Sequence, residues 1–134
     1  MLRSAFFTIA SSDNIAQLII LKTSLNHTHS TIPFIVQSIQ LNPNDIQSLQ
    51  KLGCIVRTDL PEIGHPYQLK HGPSKTFNLL NAWTFTQYDR ICILHTDMIV
   101  LNLPDTIFYY PLPTNHVAMV EDPVSYPSHN KIGN

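Results

Sequence analysis

Apolar positions in this chain keep two rhythms that alternate along its length. Short runs rich in β-branched and aromatic residues, Ala5 to Ala10, Phe34 to Ser38, Cys54 to Thr58 and Ile91 to Leu94, read as strands. Between them apolar residues recur every three or four positions. Ile15, Leu18, Ile19 and Leu25 do so first, then Ile46, Leu49 and Leu52, which is the spacing of one helix face. Ser12 is the expected cap of the first helix; Asn42 followed by Pro43 opens the second, and Gly53 ends it. A loop with His- and Pro-rich turns spans Asp59 to Gly72, and a third helix is expected from Pro73 to about Thr86. Strand and helix in this alternation require right-handed parallel crossovers. The expected class is therefore α/β, a mainly parallel sheet with helices on both faces, in a single domain over 1–134. Ile91 to Leu94, the most apolar strand, is expected at the centre of the sheet.

The same strand leads into the most informative side chains. Ile91-Cys92-Ile93-Leu94 is followed by His95-Thr96-Asp97, after which Met98-Ile99-Val100-Leu101 resumes the apolar run. In open α/β sheets ligands collect at the carboxyl ends of strands. In extended chain His95 and Asp97 point to one face, because successive side chains alternate. An imidazole nitrogen and a carboxylate oxygen so placed could hold a divalent metal whose shell a diphosphate completes. The plain alternative is a strand that ends in a polar turn.

Composition narrows function by exclusion. A net charge of -1, with the eight Lys and Arg scattered instead of striped, gives no footprint for nucleic acid. No apolar run reaches the ~18 residues a bilayer span needs. The start, Met1 to Ala10, is interrupted too soon by Ser11, Ser12 and Asp13 for a signal peptide, so a cytoplasmic protein without a membrane span is expected. Cys54 and Cys92 fall in expected strands and behave as small hydrophobes, not as a disulfide framework. His27 and His29 form an H-x-H at the end of a helix, where a solvated cation suits the dipole. Trp83 and Tyr88 are expected to be packing residues of the third helix and its exit turn.

A longer pattern then becomes visible. Phe77-Asn78-Leu79-Leu80-Asn81-Ala82-Trp83-Thr84-Phe85-Thr86-Gln87-Tyr88-Asp89-Arg90 runs into the His95 strand and on to Leu103-Pro104-Asp105-Thr106-Ile107-Phe108. This line resembles glycosyltransferase family 8, the glycogenin-like enzymes, whose pattern is roughly F-T-K-L-x-x-W-x-L-T-x-Y-D-R-V-x-Y-L-D-A-D-M-L-V-L-x-N-I-D-E-L-F. Ala5 to Asn14 is similar to the family's opening strand and T-x-x-x-N-D turn. Val117-Ala118-Met119-Val120-Glu121-Asp122 is similar to its A-A-x-x-D strand.

The resemblance implies the nucleotide-diphospho-sugar transferase fold of GT-A type, Rossmann-like, here truncated to its donor-binding half. It implies a nucleotide sugar donor, usually a uridine diphosphate (UDP) sugar, bound with manganese at a D-x-D motif, and transfer to an acceptor hydroxyl with retention. Asp97 matches the second D and is the implied metal ligand; Thr96 matches the middle residue, whose backbone approaches the ribose. His95 replaces the first D as the second implied ligand, and an imidazole brings no negative charge and titrates near neutrality. Ile9, Ser11 and Ser12 match positions that line the uridine, and Ile15 stands where the family usually has the aromatic that stacks on the base. Leu79 stands at the family's lysine for the departing diphosphate, with Lys75 one helical turn earlier on roughly the same face.

Segments that follow in the family, an N-S-G and an H-x-x-G-x-K-P-W that carries the third metal ligand, would lie beyond Lys131-Ile132-Gly133-Asn134. The expectation is a fragment of a longer product or a truncated paralogue, with an exposed apolar patch and a tendency to pair with a second copy. Two classes follow: a glycogenin-like glycosyltransferase acting on an acceptor that no residue here specifies, or a non-catalytic member that binds nucleotide weakly or serves as a protein-interaction module. A dinucleotide-binding oxidoreductase is disfavoured, since no G-x-G-x-x-G follows the first strand.

Overall fold

The computed structural model describes residues 1–64 and 75–120. Four strands, β1 (Ser4–Ala10), β2 (Phe34–Ser38), β3 (Cys54–Arg57) and β4 (Arg90–Ile93), form one parallel sheet in the order β3-β2-β1-β4. Helix α1 (Ile15–His27) crosses from β1 to β2, and α2 (Pro43–Lys51) from β2 to β3. A 3₁₀ helix at Lys75–Thr84 precedes β4, and a shorter 3₁₀ segment at Asp105–Tyr109 follows it. The molecule is an α/β structure consistent with a Rossmann-like fold. Among the described residues, no helix is long and apolar enough to cross a membrane.

Two hydrophobic clusters cover the faces of β1. Its side chains alternate: Phe6 and Ala10 join Leu18, Leu21, Leu25 and Leu49 from α1 and α2, while Ala5 and Phe7 join Ala82 and Phe85. Ala5, Phe6, Phe7 and Ala10 are all fully buried, as a strand covered on both faces must be. Phe6 lies 5.1 Å from Phe108 and 6.3 Å from Phe34 between ring centroids, and Phe7 meets Phe85 edge-on at 5.1 Å.

The helix boundaries follow local chemistry. Asn42 accepts a hydrogen bond from the Asp45 N–H at 2.8 Å with Pro43 at the first helical position, as the sequence leads one to expect. Gly53 takes φ +90°, the left-handed stop after α2. At α1 the expected Ser12 cap is not formed. The helix begins at Ile15, and Asn14 turns its side chain back instead, accepting from the Ser11 N–H at 2.8 Å and donating to the Ile9 carbonyl at 3.2 Å.

Three further expectations are corrected. Ile91 to Ile93 lies at an end of the described sheet, each residue only half-buried, and not at its centre. Its apolar character reflects cover on both faces, with Ile91 and Ile93 packed against one cluster and Cys92 against the other, which does not require a neighbour on each edge. Of the helix expected over Pro73 to Thr86, residues 65–74 lie outside the described ones, and Lys75–Thr84 is 3₁₀ and not α. At three residues per turn, positions three apart stack in columns. Asn78 and Asn81 form a buried column, Leu79, Ala82 and Phe85 pack toward the sheet, and Leu80 and Trp83 face outward. Trp83, expected to pack, is consequently 62% exposed, whereas Tyr88 does pack on the Phe7 cluster.

A buried amide network fastens this segment to the sheet. Asn81 donates to the Gln37 side-chain oxygen at 2.8 Å and to the Pro61 carbonyl at 2.9 Å, and Asn78 accepts from the Ile63 N–H at 2.7 Å. Gln37 is fully buried, and unpaired amides there would be costly, so the network fixes the loop after β3 and the 3₁₀ helix together. Large apolar side chains exposed to solvent concentrate between Met98 and Val120, among them Ile99, Leu101, Tyr109, Val117 and Met119.

Candidate functional site

Beyond the carboxyl ends of β1 and β4, which are adjacent and parallel, lies an open cleft of about 370 Å³. Ile9 and Ser11 line it from the end of β1, and His95, Thr96 and Asp97 line it from the segment after β4. Five of the residues that the resemblance implies for nucleotide or metal thus meet in one place, although 84 residues separate Ser11 from His95 in the chain. Asp13, Asn14, Gln17, Lys75 and Leu79 complete most of the wall.

Local structure explains the convergence. The Leu94 N–H bonds the Phe7 carbonyl at 3.0 Å, which carries the β1–β4 pairing one residue past β4 and sets His95 level with the end of β1. The chain then turns at Thr96 and Asp97, and Thr96 donates its hydroxyl hydrogen bond to Gln17 of α1 at 3.2 Å. Opposite, the Ser11–Asn14 turn is closed by the Asn14 N–H to the Ser11 carbonyl at 3.1 Å.

Extended chain through His95 and Asp97 is not found. β4 ends at Ile93, and the turn replaces the expected strand face, so the two side chains share the cleft by tertiary placement and not by strand alternation. The apolar run after them does not resume as a strand either; the Val100 N–H is taken by the Ser24 hydroxyl at 2.9 Å. Ile15 lines no part of the cleft. It packs against the α1 side of the core, as an aliphatic at the first turn of a helix does when that face is covered. Ser12 is exposed and belongs to a neighbouring cleft of about 340 Å³, lined also by Gln40, Glu62 and Asn78.

Lys75 belongs to both clefts. Its ammonium nitrogen lies 2.7 Å from the Asp13 carboxylate, a contact between the β1–α1 turn and the start of the 3₁₀ helix. Asp13 and Gln17 are wall residues that sequence spacing did not single out. A charged residue inside a tight turn at the end of an apolar strand was the available signal for Asp13, while for Gln17, on an exposed helix surface, there was none.

His95 and Asp97 are both exposed, and among the described residues no three His, Cys, Asp or Glu side chains are grouped to hold a metal ion. Among the described residues the cleft therefore offers the His95 and Asp97 pair, and a divalent ion held by these two alone would need further oxygens to complete its shell. No family model matches this sequence, and no curated protein matches it.

Proposed function

We propose that this chain is the donor-binding part of a glycogenin-like glycosyltransferase, with the GT-A variant of its Rossmann-like fold, that binds a nucleotide diphosphate sugar, a UDP-sugar by resemblance, with manganese. The observation that carries the reading is the meeting of Ile9, Ser11, His95, Thr96 and Asp97 in one cleft at the carboxyl ends of two adjacent parallel strands. Ile9 offers an apolar surface and Ser11 a hydroxyl to the nucleoside. Thr96, tied to Gln17, holds the turn that presents its backbone to the ribose. His95 and Asp97 would hold manganese jointly with the diphosphate, and the bound ion would supply positive charge against the leaving group as the bond to the sugar breaks. Residues for the acceptor are not assigned. The two free thiols, Cys54 and Cys92, suit a reducing compartment, and we place the protein in the cytoplasm.

A second reading, a non-catalytic member that binds nucleotide weakly, is favoured by one observation, that among the described residues no third His, Cys, Asp or Glu joins His95 and Asp97 in a group that could hold a metal ion. Calorimetric titration of UDP with and without manganese tests both. The enzyme reading expects manganese to strengthen UDP binding and UDP to strengthen manganese binding by the same factor, because each completes the other's site. Asp97→Ala should abolish that coupling, and His95→Asp, which adds an anionic oxygen ligand, should increase it. Manganese-independent binding in both the wild type and His95→Asp would select the non-catalytic reading. Absence of any UDP binding would dismiss both.

A further inference from the structure

The wall of the cleft that carries His95 and Asp97 has few anchors. Among the described residues, the Leu94 N–H to the Phe7 carbonyl fixes its near end, and the next main-chain tie is the Val100 N–H to the Ser24 hydroxyl, with the Thr96 side chain on Gln17 between them. His95, Asp97, Met98 and Ile99 are exposed and lie between these points. Both ties beyond Leu94 belong to α1. The opposite wall hangs from the same helix: Asn14, just before α1, holds the Ser11 N–H and the Ile9 carbonyl, and its own carbonyl accepts from the Leu18 N–H at 3.0 Å.

Of the two ties, the one at Ser24 is the better protected, since Ser24 and Val100 are half-buried whereas Gln17 is exposed. A serine that bonds back to a carbonyl one turn earlier is common in helices and by itself implies nothing. Here the single hydroxyl proton goes to the Leu21 carbonyl at 2.7 Å, which leaves the oxygen lone pairs for the Val100 N–H at 2.9 Å. Gln17 and Ser24 are two turns apart, roughly 10 Å along the helix. Four residues of extended chain reach at most about 14 Å, so the stretch from Thr96 to Val100 has little slack.

We propose that Ser24, which lines no part of the cleft, is the positioning residue for its His95–Asp97 wall. It acts through Val100: with that amide held, the turn at Thr96 and Asp97 is stretched along α1, and one helix sets the separation of the two walls. The effect on ligand binding rests on the nucleotide reading, whereas the effect on the turn does not.

Backbone ¹⁵N relaxation of the ligand-free chain tests the turn directly. Thr96 and Asp97 are expected at order parameters near those of rigid backbone, about 0.85, and below about 0.6 in Ser24→Ala. Amides of β1 and α1 should be unchanged, because alanine is the better helix former. Ser24→Thr, which keeps the hydroxyl, should restore the order. Ser24→Cys, close in size but a weak acceptor, should not, which separates the hydrogen bond from packing. Manganese-dependent UDP binding should weaken about tenfold in Ser24→Ala and recover in Ser24→Thr, as ordering the loosened turn opposes binding. Unchanged order at Thr96 and Asp97 in Ser24→Ala, equal loosening of β1 and α1, or failure of Ser24→Thr to restore the turn overturns the proposal. Should the relaxation series behave as expected while UDP does not bind the wild type, the positioning role stands and the nucleotide reading falls. Should UDP bind with manganese while Ser24→Ala changes neither order nor affinity, the reverse holds.

Discussion

Cys54 at the start of β3 and Lys22 on α1 show how burial sets single-residue chemistry. Cys54 is buried, and loss of solvent pushes its thiol up to about 11, against a smaller opposing pull from the Lys22 charge. Burial lowers the Lys22 ammonium from its ordinary value, and its nitrogen sits over the Phe34 ring, 5.5 Å from the centroid. A folded chain that holds the thiol proton more tightly than the unfolded one gains stability below the unfolded value of 9.0 and loses it as pH rises toward about 11. Urea titrations of wild type and Cys54→Ala over that interval should therefore converge as pH rises, the wild type losing its thiol-dependent advantage. In the folded protein at mildly alkaline pH, alkylating reagents should leave Cys54 unmodified, since the thiolate is the reactive form. Rapid native-state alkylation of Cys54, mapped by mass spectrometry, would contradict the assignment.

At the level of elements, α2 was legible because its determinants are contiguous. Asn42, Pro43 and Gly53 act through bonds within a few residues, and each takes the expected role. Asn42→Ala is expected to cost about 1 kcal/mol, and Asn42→Gly only a few tenths, measured by denaturant unfolding. Equal losses for the two would mean that the cap bond contributes little. The 3₁₀ helix was less legible, although its period is written in the residues. Lys75, Asn78, Asn81 and Thr84 recur every third position, and Thr84 and Asn78 bond back to carbonyls three residues earlier. An α reading spreads these side chains around the helix, whereas the tighter winding stacks them. That difference is why Trp83 faces solvent. The edge position of β4 was not legible at all, because hydrophobicity reports how many faces of a strand are covered and is silent about hydrogen-bonded neighbours.

For the whole molecule, the alternation of short and periodic apolar runs was sufficient for the class of fold, since parallel strands with helical crossovers have few arrangements. The lining of the cleft was legible in the residue types after β4 and at the end of β1, and illegible where it depends on tertiary reach, as with Gln17 and the Lys75–Asp13 contact. Phe6 joins these levels: it packs on Phe34 of β2 and on Phe108 after β4, so it ties early and late parts of the chain into one core. Phe6→Ala should cost about 3–5 kcal/mol, a large share of the ~5–15 kcal/mol that stabilises a typical domain, and chemical denaturation should show a much earlier midpoint. A midpoint close to wild type would show that the cluster collapses around the gap.

The strand order also has a consequence in time. β1 is made first, pairs with β2, which in turn takes β3, within the next few dozen residues, and must then wait for β4, whose flanking contact, Arg3 with Asp89, closes a separation of 86 residues. Contacts so distant in sequence form slowly, and synthesis proceeds from the amino terminus. During translation three of the four described strands are therefore made before the segment that lines the cleft with His95, Thr96 and Asp97, and that cleft is complete only when β4 docks on β1.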